Sequence, residues 1–133
     1  VNVAVGVDLI EVARIARVLQ RHPERFLSRH FTPREQLECG REPASLATRW
    51  AAKEAASKAL GTGIGPVGWR DMEVVSASSG APSLVLHARA ARRAQDLGLQ
   101  TWSVSLTHTA EHAVAVVAAV GVDVERTPER FEA

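Results

Sequence analysis

Tyrosine is absent, cysteine and methionine occur once each, and lysine stands at only two of the 133 positions. With no Tyr and only three Phe and three Trp, the chain lacks the aromatic platforms on which single-stranded RNA or DNA is stacked. A lone Cys39 makes neither an internal disulfide nor a metal cluster, which suits a reducing, cytoplasmic setting and not a stapled secreted scaffold. No run approaches the roughly 20 apolar residues of a bilayer span, and no basic stretch precedes a short apolar segment with a cleavage site. Neither a membrane nor a leader is therefore expected. There is no Gly-x-Ser-x-Gly elbow for a serine hydrolase. Cys39 lies in a charged segment where Arg41 is the near cation, a poor setting for a nucleophilic thiol.

What is present is an ordinary globular composition, 46% apolar and 23% charged, at the length of one domain. A domain of about 150 residues hides only about 70% of the surface of its unfolded chain. One modest core forms and little wall remains for a deep private pocket, so a sizeable ligand calls for more than one subunit. The net charge of +1 argues against a general polyanion binder, but it averages over a segregated sequence. Arg14, Arg17, Arg21, Arg25, Arg29 and Arg34 stand against Glu24 alone. After Val120 the balance turns acidic, with Asp123, Glu125, Glu129 and Glu132 against Arg126 and Arg130, and without an apolar period; residues 1–120 read as the domain and 121–133 as a frayed tail.

Val3, Val5 and Val7 alternate with Ala4, Gly6 and Asp8, a strand pattern, and the chain is expected to enter a helix just after Asp8. From Glu11 to about Arg21, Val12, Ile15, Ala16 and Leu19 recur at helical spacing while Arg14, Arg17 and Arg21 occupy another face. Pro23 ends that helix. Thr32-Pro33-Arg34-Glu35 supplies an N-cap, a first-turn proline and a capping-box acid for a second helix to Cys39. Ser45 to Leu60, rich in Ala and free of Gly and Pro, predicts the best helix of the chain, stopped by a Gly61, Gly63, Gly65 loop. Met72–Ala77 and Ser83–His87 read as a hairpin, Ala88–Leu97 as a helix, and Thr101–Thr107 and His112–Val120 as two more strands. The order β-α-α-α-β-β-α-β-β predicts an α+β domain with helices packed on an antiparallel or mixed sheet.

Three segments carry possible chemistry. Asp8 ends an apolar strand, where it suits either a capping box with Glu11 or a metal ligand. Glu54 and Lys58 are four apart on one helix face, the spacing of an ordinary surface ion pair. Both lysines of the chain nevertheless fall in this Ala-rich stretch, and the glycines that follow offer either a simple helix C-cap or a backbone that approaches phosphate closely. Ser105-Leu106-Thr107-His108-Thr109 puts a histidine at a strand end. Together, two carboxylates with Lys, Arg, His and glycine backbone are the parts that hold Mg²⁺ on a phosphorylated substrate, since Mg²⁺ takes one or two protein carboxylates and completes its shell with water and phosphate.

Val5-Gly6-Val7-Asp8-Leu9-Ile10-Glu11, Arg49-Trp50-Ala51-Ala52-Lys53-Glu54-Ala55 with Lys58, Gly61-Thr62-Gly63-Ile64-Gly65 and Ser105-Leu106-Thr107-His108-Thr109 resemble, in this order, the holo-acyl-carrier-protein synthase family of small, stand-alone 4′-phosphopantetheinyl transferases. Phe31-Thr32-Pro33-Arg34-Glu35 and the Gly80-Ala81-Pro82 turn add to the likeness, which spans roughly residues 1–120. The resemblance implies transfer of 4′-phosphopantetheine from coenzyme A to a serine of an apo acyl carrier protein, with release of adenosine 3′,5′-bisphosphate. It implies Asp8 and Glu54 as Mg²⁺ ligands and Lys58 at the pyrophosphate. Arg49, Lys53, Pro82, His108 and Thr109 become coenzyme A contacts, with the backbone at Gly61, Gly63 and Gly65 lining the nucleotide. A serine hydroxyl needs a base, either a carboxylate or, preferred here, a metal-bound water oriented by Asp8. Arg14, Arg17, Arg21 and Arg25, with Phe26, become the surface for an acidic carrier protein, and a homotrimer with coenzyme A between subunits is expected. Trp50 replaces a phenylalanine common in the family, and the acidic tail exceeds the family's usual end. The competing readings are a binding module that holds coenzyme A without turnover, and a nucleic-acid binder using the Arg helix.

Overall fold

The computed structural model describes residues 1–124, so the tail reading for 125–133 lies outside the described residues. Strand β1 (Asn2–Glu11) leads into helices α1 (Val12–Arg21), α2 (Pro23–His30), α3 (Pro33–Cys39) and α4 (Pro43–Ala59). A 3-10 turn at Trp69–Asp71 precedes the hairpin β2 (Met72–Ser76) and β3 (Pro82–Leu86), then α5 (Ala88–Asp96), β4 (Leu99–His108) and β5 (His112–Gly121). The long strands form an antiparallel sheet in the order β1-β5-β4, and β2-β3 is a separate antiparallel pair. The α+β expectation holds, with β1 to β5 paired antiparallel throughout. No helix among the described residues is long and apolar enough to cross a membrane.

Two elements differ from expectation. Pro23 ends α1 but also opens α2, where it occupies the first helical turn. A proline at that position forfeits an amide that has no intrahelical partner anyway, so one residue serves both purposes. Strand β1 also runs past Asp8 to Glu11, which pairs with His112. Asp8 is thus a mid-strand residue facing Ala115 and not a helix cap. Glu11 takes the N-cap position of α1 without a side-chain cap bond. The capping-box reading of Asp8 and Glu11 fails because ten paired residues of β5 extend the strand. The Thr32 box, by contrast, forms in full: Thr32 Oγ1 accepts the Glu35 amide, and Glu35 accepts the Thr32 amide.

Helix α4 is the hub. Ala47, Ala51, Ala52, Ala55 and Ala56 are completely buried, wrapped by the sheet, the hairpin and α1. The contact with β1 is so close that a Cβ on Gly6 would lie 1.8 Å from the Ala55 carbonyl oxygen. Gly6 therefore sets how near α4 sits to the sheet. At the other end of the sheet a Cβ on Gly121 would meet the Gly98 carbonyl oxygen at 1.7 Å, where Val122 N–H also bonds Gly98. The two Gly-Val-Asp triplets of the sequence thus share a need for close backbone approach.

The strand alternation is turned around from a simple hydrophobic rule. Ala4, Gly6 and Ile10 face α4, whereas Val3, Val5, Val7 and Leu9 of β1 and Val116 and Val120 of β5 face outward. Val5 and Leu9 are 61% and 62% exposed. A contiguous apolar stripe of this kind marks an interaction surface.

Beneath α2, Phe26, His30, Phe31, Trp50 and Trp69 form one aromatic cluster, with Trp50 and Trp69 ring centroids 4.1 Å apart. Next to it lies a fully buried ion pair. Lys53 Nζ donates to Glu35 Oε1 at 2.7 Å and to the Trp69 and Met72 carbonyls, while Glu35 Oε2 accepts the Val74 amide at 3.0 Å. Burial pulls the Lys53 ammonium below its ordinary range and the Glu35 charge opposes that fall. Removing one member of such a pair leaves the other charged and unpaired, which typically costs about 3–5 kcal/mol. Lys53→Met should therefore lower the chemical-denaturation stability by roughly that amount, with part of it regained in Lys53→Met/Glu35→Gln. An unchanged midpoint for the single variant would contradict this account.

Candidate functional site

The turn of α4 that packs on Gly6, through Ala55 and Ala59, carries Glu54 and Lys58 to the edge strand β1, beside Asp8. Lys58 Nζ donates to Asp8 Oδ1 at 3.2 Å and to the Val7 carbonyl at 3.1 Å. The sequence spacing suggested a Glu54–Lys58 pair; the ammonium instead reaches across to β1. Glu54, partly buried, has its carboxyl pushed above the ordinary range, first by desolvation and then by the neighbouring Asp8 charge, with Lys58 and Arg14 opposing. Glu54 and Lys58, both far from Asp8 in sequence, thus form one electrostatic unit with it.

Among the described residues no three His, Cys, Asp or Glu side chains gather into a metal cage. Two carboxylates that repel one another suit a hard divalent cation that draws its remaining ligands from water and phosphate. The donor set fits Mg²⁺.

The other expected residues fall in separate places. Arg49, on the hairpin side of α4, donates from Nη2 to Ser76 Oγ at 3.2 Å, and its buried Nε has no acceptor. It lines a cleft of about 270 Å³ with Ser76, Gly80, Pro82 and Ser105. A guanidinium with an unused donor in a polar cleft suits an anion. His108 and Thr109 lie at the β4–β5 turn, where Thr109 Oγ1 caps the amides of Glu111 and His112. Both residues border a second cleft, about 550 Å³, with Glu42, Pro43 and Ala13. Asp8 sits on one edge strand of the β1-β5-β4 sheet and Ser105 on the other, so the carboxylates and the Arg49 cleft occupy opposite edges.

Several expectations are corrected. Lys53 has no exposed surface, so it does not face a coenzyme A phosphate; it belongs to the Glu35 pair. Phe26 is 3% exposed and packs in the aromatic cluster, so it offers a carrier protein no surface, whereas Arg14, Arg17, Arg21 and Arg25 are exposed. The glycine-rich loop is not a cradle of free amides. Gly61 N–H donates to the Lys58 carbonyl, those of Thr62 and Gly63 to Ser57, and that of Gly65 to Val67. Gly61 and Gly63 adopt φ of 74° and 65°, the left-handed geometry of a helix ending. Burial pushes the Cys39 thiol up to about 11, leaving it inert. Ser76 and Ser105 were not anticipated in the Arg49 cleft; Ser105 lies within a quoted motif, but nothing in the pattern of Ser76 marks it.

The family model described as the 4′-phosphopantetheinyl transferase superfamily matches residues 4–117. The holo-[acyl-carrier-protein] synthase of Herpetosiphon aurantiacus is 46% identical over 123 residues, 87% of this chain and 97% of that protein. That of Halorhodospira halophila is 50% identical over 117 residues, covering 85% and 93% of the two chains. Among solved structures, the Helicobacter pylori holo-[acyl-carrier-protein] synthase in complex with coenzyme A superposes with a TM-score of 0.80 at 32% identity, covering 87% of this chain and 99% of that one.

The raised Glu54 carboxyl has a consequence in pH. As pH falls, Glu54 takes up its proton before an ordinary glutamate does, so a cation held between Asp8 and Glu54 is released at a correspondingly higher pH. Asp8→Asn removes the neighbouring charge and should move the Glu54 titration, followed by carboxyl ¹³C NMR, downward. No downward movement would show that the two carboxylates do not interact.

Proposed function

The chain belongs to the 4′-phosphopantetheinyl transferase superfamily, as a holo-[acyl-carrier-protein] synthase, and from that premise we propose how its residues carry the transfer of phosphopantetheine from coenzyme A to an acyl carrier protein. Asp8 and Glu54 would hold Mg²⁺, and the ion would supply positive charge for the pyrophosphate oxygens as the bond to the leaving group breaks. Lys58, already bonded to Asp8 at 3.2 Å, adds a second positive charge next to the reacting phosphorus. The carrier serine attacks that phosphorus, its proton passing to a base at the carboxylate pair, and adenosine 3′,5′-bisphosphate departs. Arg49 and His108 take coenzyme A phosphates. The observation that carries this reading is the meeting of Asp8, Glu54 and Lys58 at one sheet edge.

Arg14, Arg17, Arg21 and Arg25 present a basic face to an acidic carrier protein, and Arg14 acts on Glu54 as well, so the docking face borders the reacting centre. Charge complementarity of this sort raises the encounter rate and fixes register. The protein assembles as a homotrimer. Its support is the outward Val3, Val5, Val7 and Leu9 stripe and the placement of carboxylates and Arg49 cleft on opposite edges, which a head-to-tail contact between copies joins.

Asp8→Ala and Glu54→Ala should each lower transfer by about 10²-fold or more, read as the mass gain of an apo carrier protein incubated with coenzyme A and Mg²⁺, with circular dichroism unchanged. Full activity in the double variant would overturn the assignment. Removing divalent cations should abolish transfer and Mg²⁺ should restore it. In a separate test, Val5→Asp should shift the light-scattering mass from trimer toward monomer; a wild-type monomer would refute the shared site.

A further inference from the structure

Helix α5 presents two arginines, one turn apart, to the glycine-rich loop that follows α4. Arg93 Nε donates to the Leu60 carbonyl at 3.0 Å, at the start of the loop. Arg89 Nη1 donates to the Gly65 carbonyl at 3.3 Å, at its end. Arg89 Nε also lies 3.5 Å from Asp71 Oδ2, the oxygen that accepts the Gly68 amide at 2.9 Å. One helix face therefore grips the segment on both sides.

The segment needs such a grip. Its amide bonds to Ser57 and Lys58 secure only the first residues, and Gly65 sits at φ 133°, a conformation that glycine enters and leaves freely. The Leu60 carbonyl is one of the helix-end acceptors left without an intrahelical donor, and a guanidinium is well matched to it. With the amides of Gly61, Thr62, Gly63 and Gly65 spent internally, the loop serves a ligand chiefly through its shape. A shape held before the ligand arrives spares binding the entropy of ordering it.

We propose that Arg89 and Arg93 are positioning residues for coenzyme A, holding the Gly61–Gly65 loop in its binding conformation beside Lys58. The proposal rests on the reading that this loop lines the nucleotide. In Arg89→Ala/Arg93→Ala the KM for coenzyme A rises roughly five- to tenfold, as expected for the loss of charge-assisted hydrogen bonds at a partly exposed site. The kcat stays within about twofold, because neither arginine reaches the carboxylate pair. Amide hydrogen exchange at Thr62, Gly63 and Gly65 accelerates in the same variant, and Arg89→Lys/Arg93→Lys recovers part of the KM. Arg92→Ala, on the same helix without a loop contact, serves as the control and leaves KM unchanged. An unaltered KM in the double alanine variant overturns the proposal, as does a fall in kcat that tracks loss of folded protein at constant KM. Failure of the wild-type protein to bind coenzyme A by calorimetry overturns the underlying function instead.

Discussion

The distance between helix α4 and strand β1 is the constraint on which the rest of the molecule depends. It is set by an absence: at Gly6 there is no side chain, and any Cβ would collide with the Ala55 carbonyl. The alanines of α4 complete the arrangement, since each adds a small surface that lets the helix lie close against the sheet. Long side chains would bury more area per residue but would lift the helix away. That displacement would separate Glu54 and Lys58 from Asp8, where the bond is now 3.2 Å. Close packing has here been used to bring charges within range of one another, and the helix propensity of alanine makes the same choice locally favourable.

The second fixed point is the Lys53–Glu35 pair. An ion pair in a dry core seldom adds net stability, because desolvation offsets most of its attraction. Its value lies in geometry. Glu35 caps α3 with one oxygen and receives β2 with the other, and Lys53 reaches the Trp69 and Met72 carbonyls. Four backbone groups, at the start of α3, in the 3-10 turn and along β2, are thereby referred to one residue of α4. Sliding α4 by a turn would break all three Lys53 bonds at once, so the pair fixes the register of the helix whose next residue, Glu54, lies beside Asp8. Two adjacent residues with opposite surroundings, one sealed in the core and one partly exposed beside Asp8, follow from the 100° step of the helix.

Sequence reading recovers most of this architecture where the signal is local. The Thr32 capping box, the Ala-rich helix and its glycine stop, and the hairpin all depend on residues a few positions apart. It misses what depends on partners far along the chain. Asp8 has the local appearance of a cap, and only ten pairings with β5 keep it in a strand. The two lysines are indistinguishable by type, and only the fold reveals that Lys53 points at Glu35 while Lys58 points at Asp8. Pro23 carries both a stop and a start signal, and the stop alone suppresses α2. The glycines satisfy two rules equally well; the hydrogen bonds show the helix ending, and what the loop then offers a ligand is its shape more than a set of free amides.

One inversion connects the sheet to the proposed assembly. In a monomer the valines of β1 would be expected inward and Gly6 and Asp8 outward, yet the chain does the reverse. The reversal is forced on the inner face, because Gly6 must lie under Ala55 and Asp8 must meet Lys58, and strand periodicity then sends Val3, Val5, Val7 and Leu9 to the opposite side. Such residues gain nothing from water. A second copy covering them gives that face a reason, and it does so next to the edge that carries the carboxylates. The Arg49 cleft on the far edge has a buried guanidinium nitrogen without an acceptor, so each edge of the sheet is chemically incomplete in a complementary way: one has negative charge awaiting a cation, the other a donor awaiting an anion. A single small domain has no wall with which to join them. In the proposed homotrimer, contact of one copy's β1 edge with another's β4 edge would supply that wall, and a pyrophosphate with its metal would be the group that satisfies both halves.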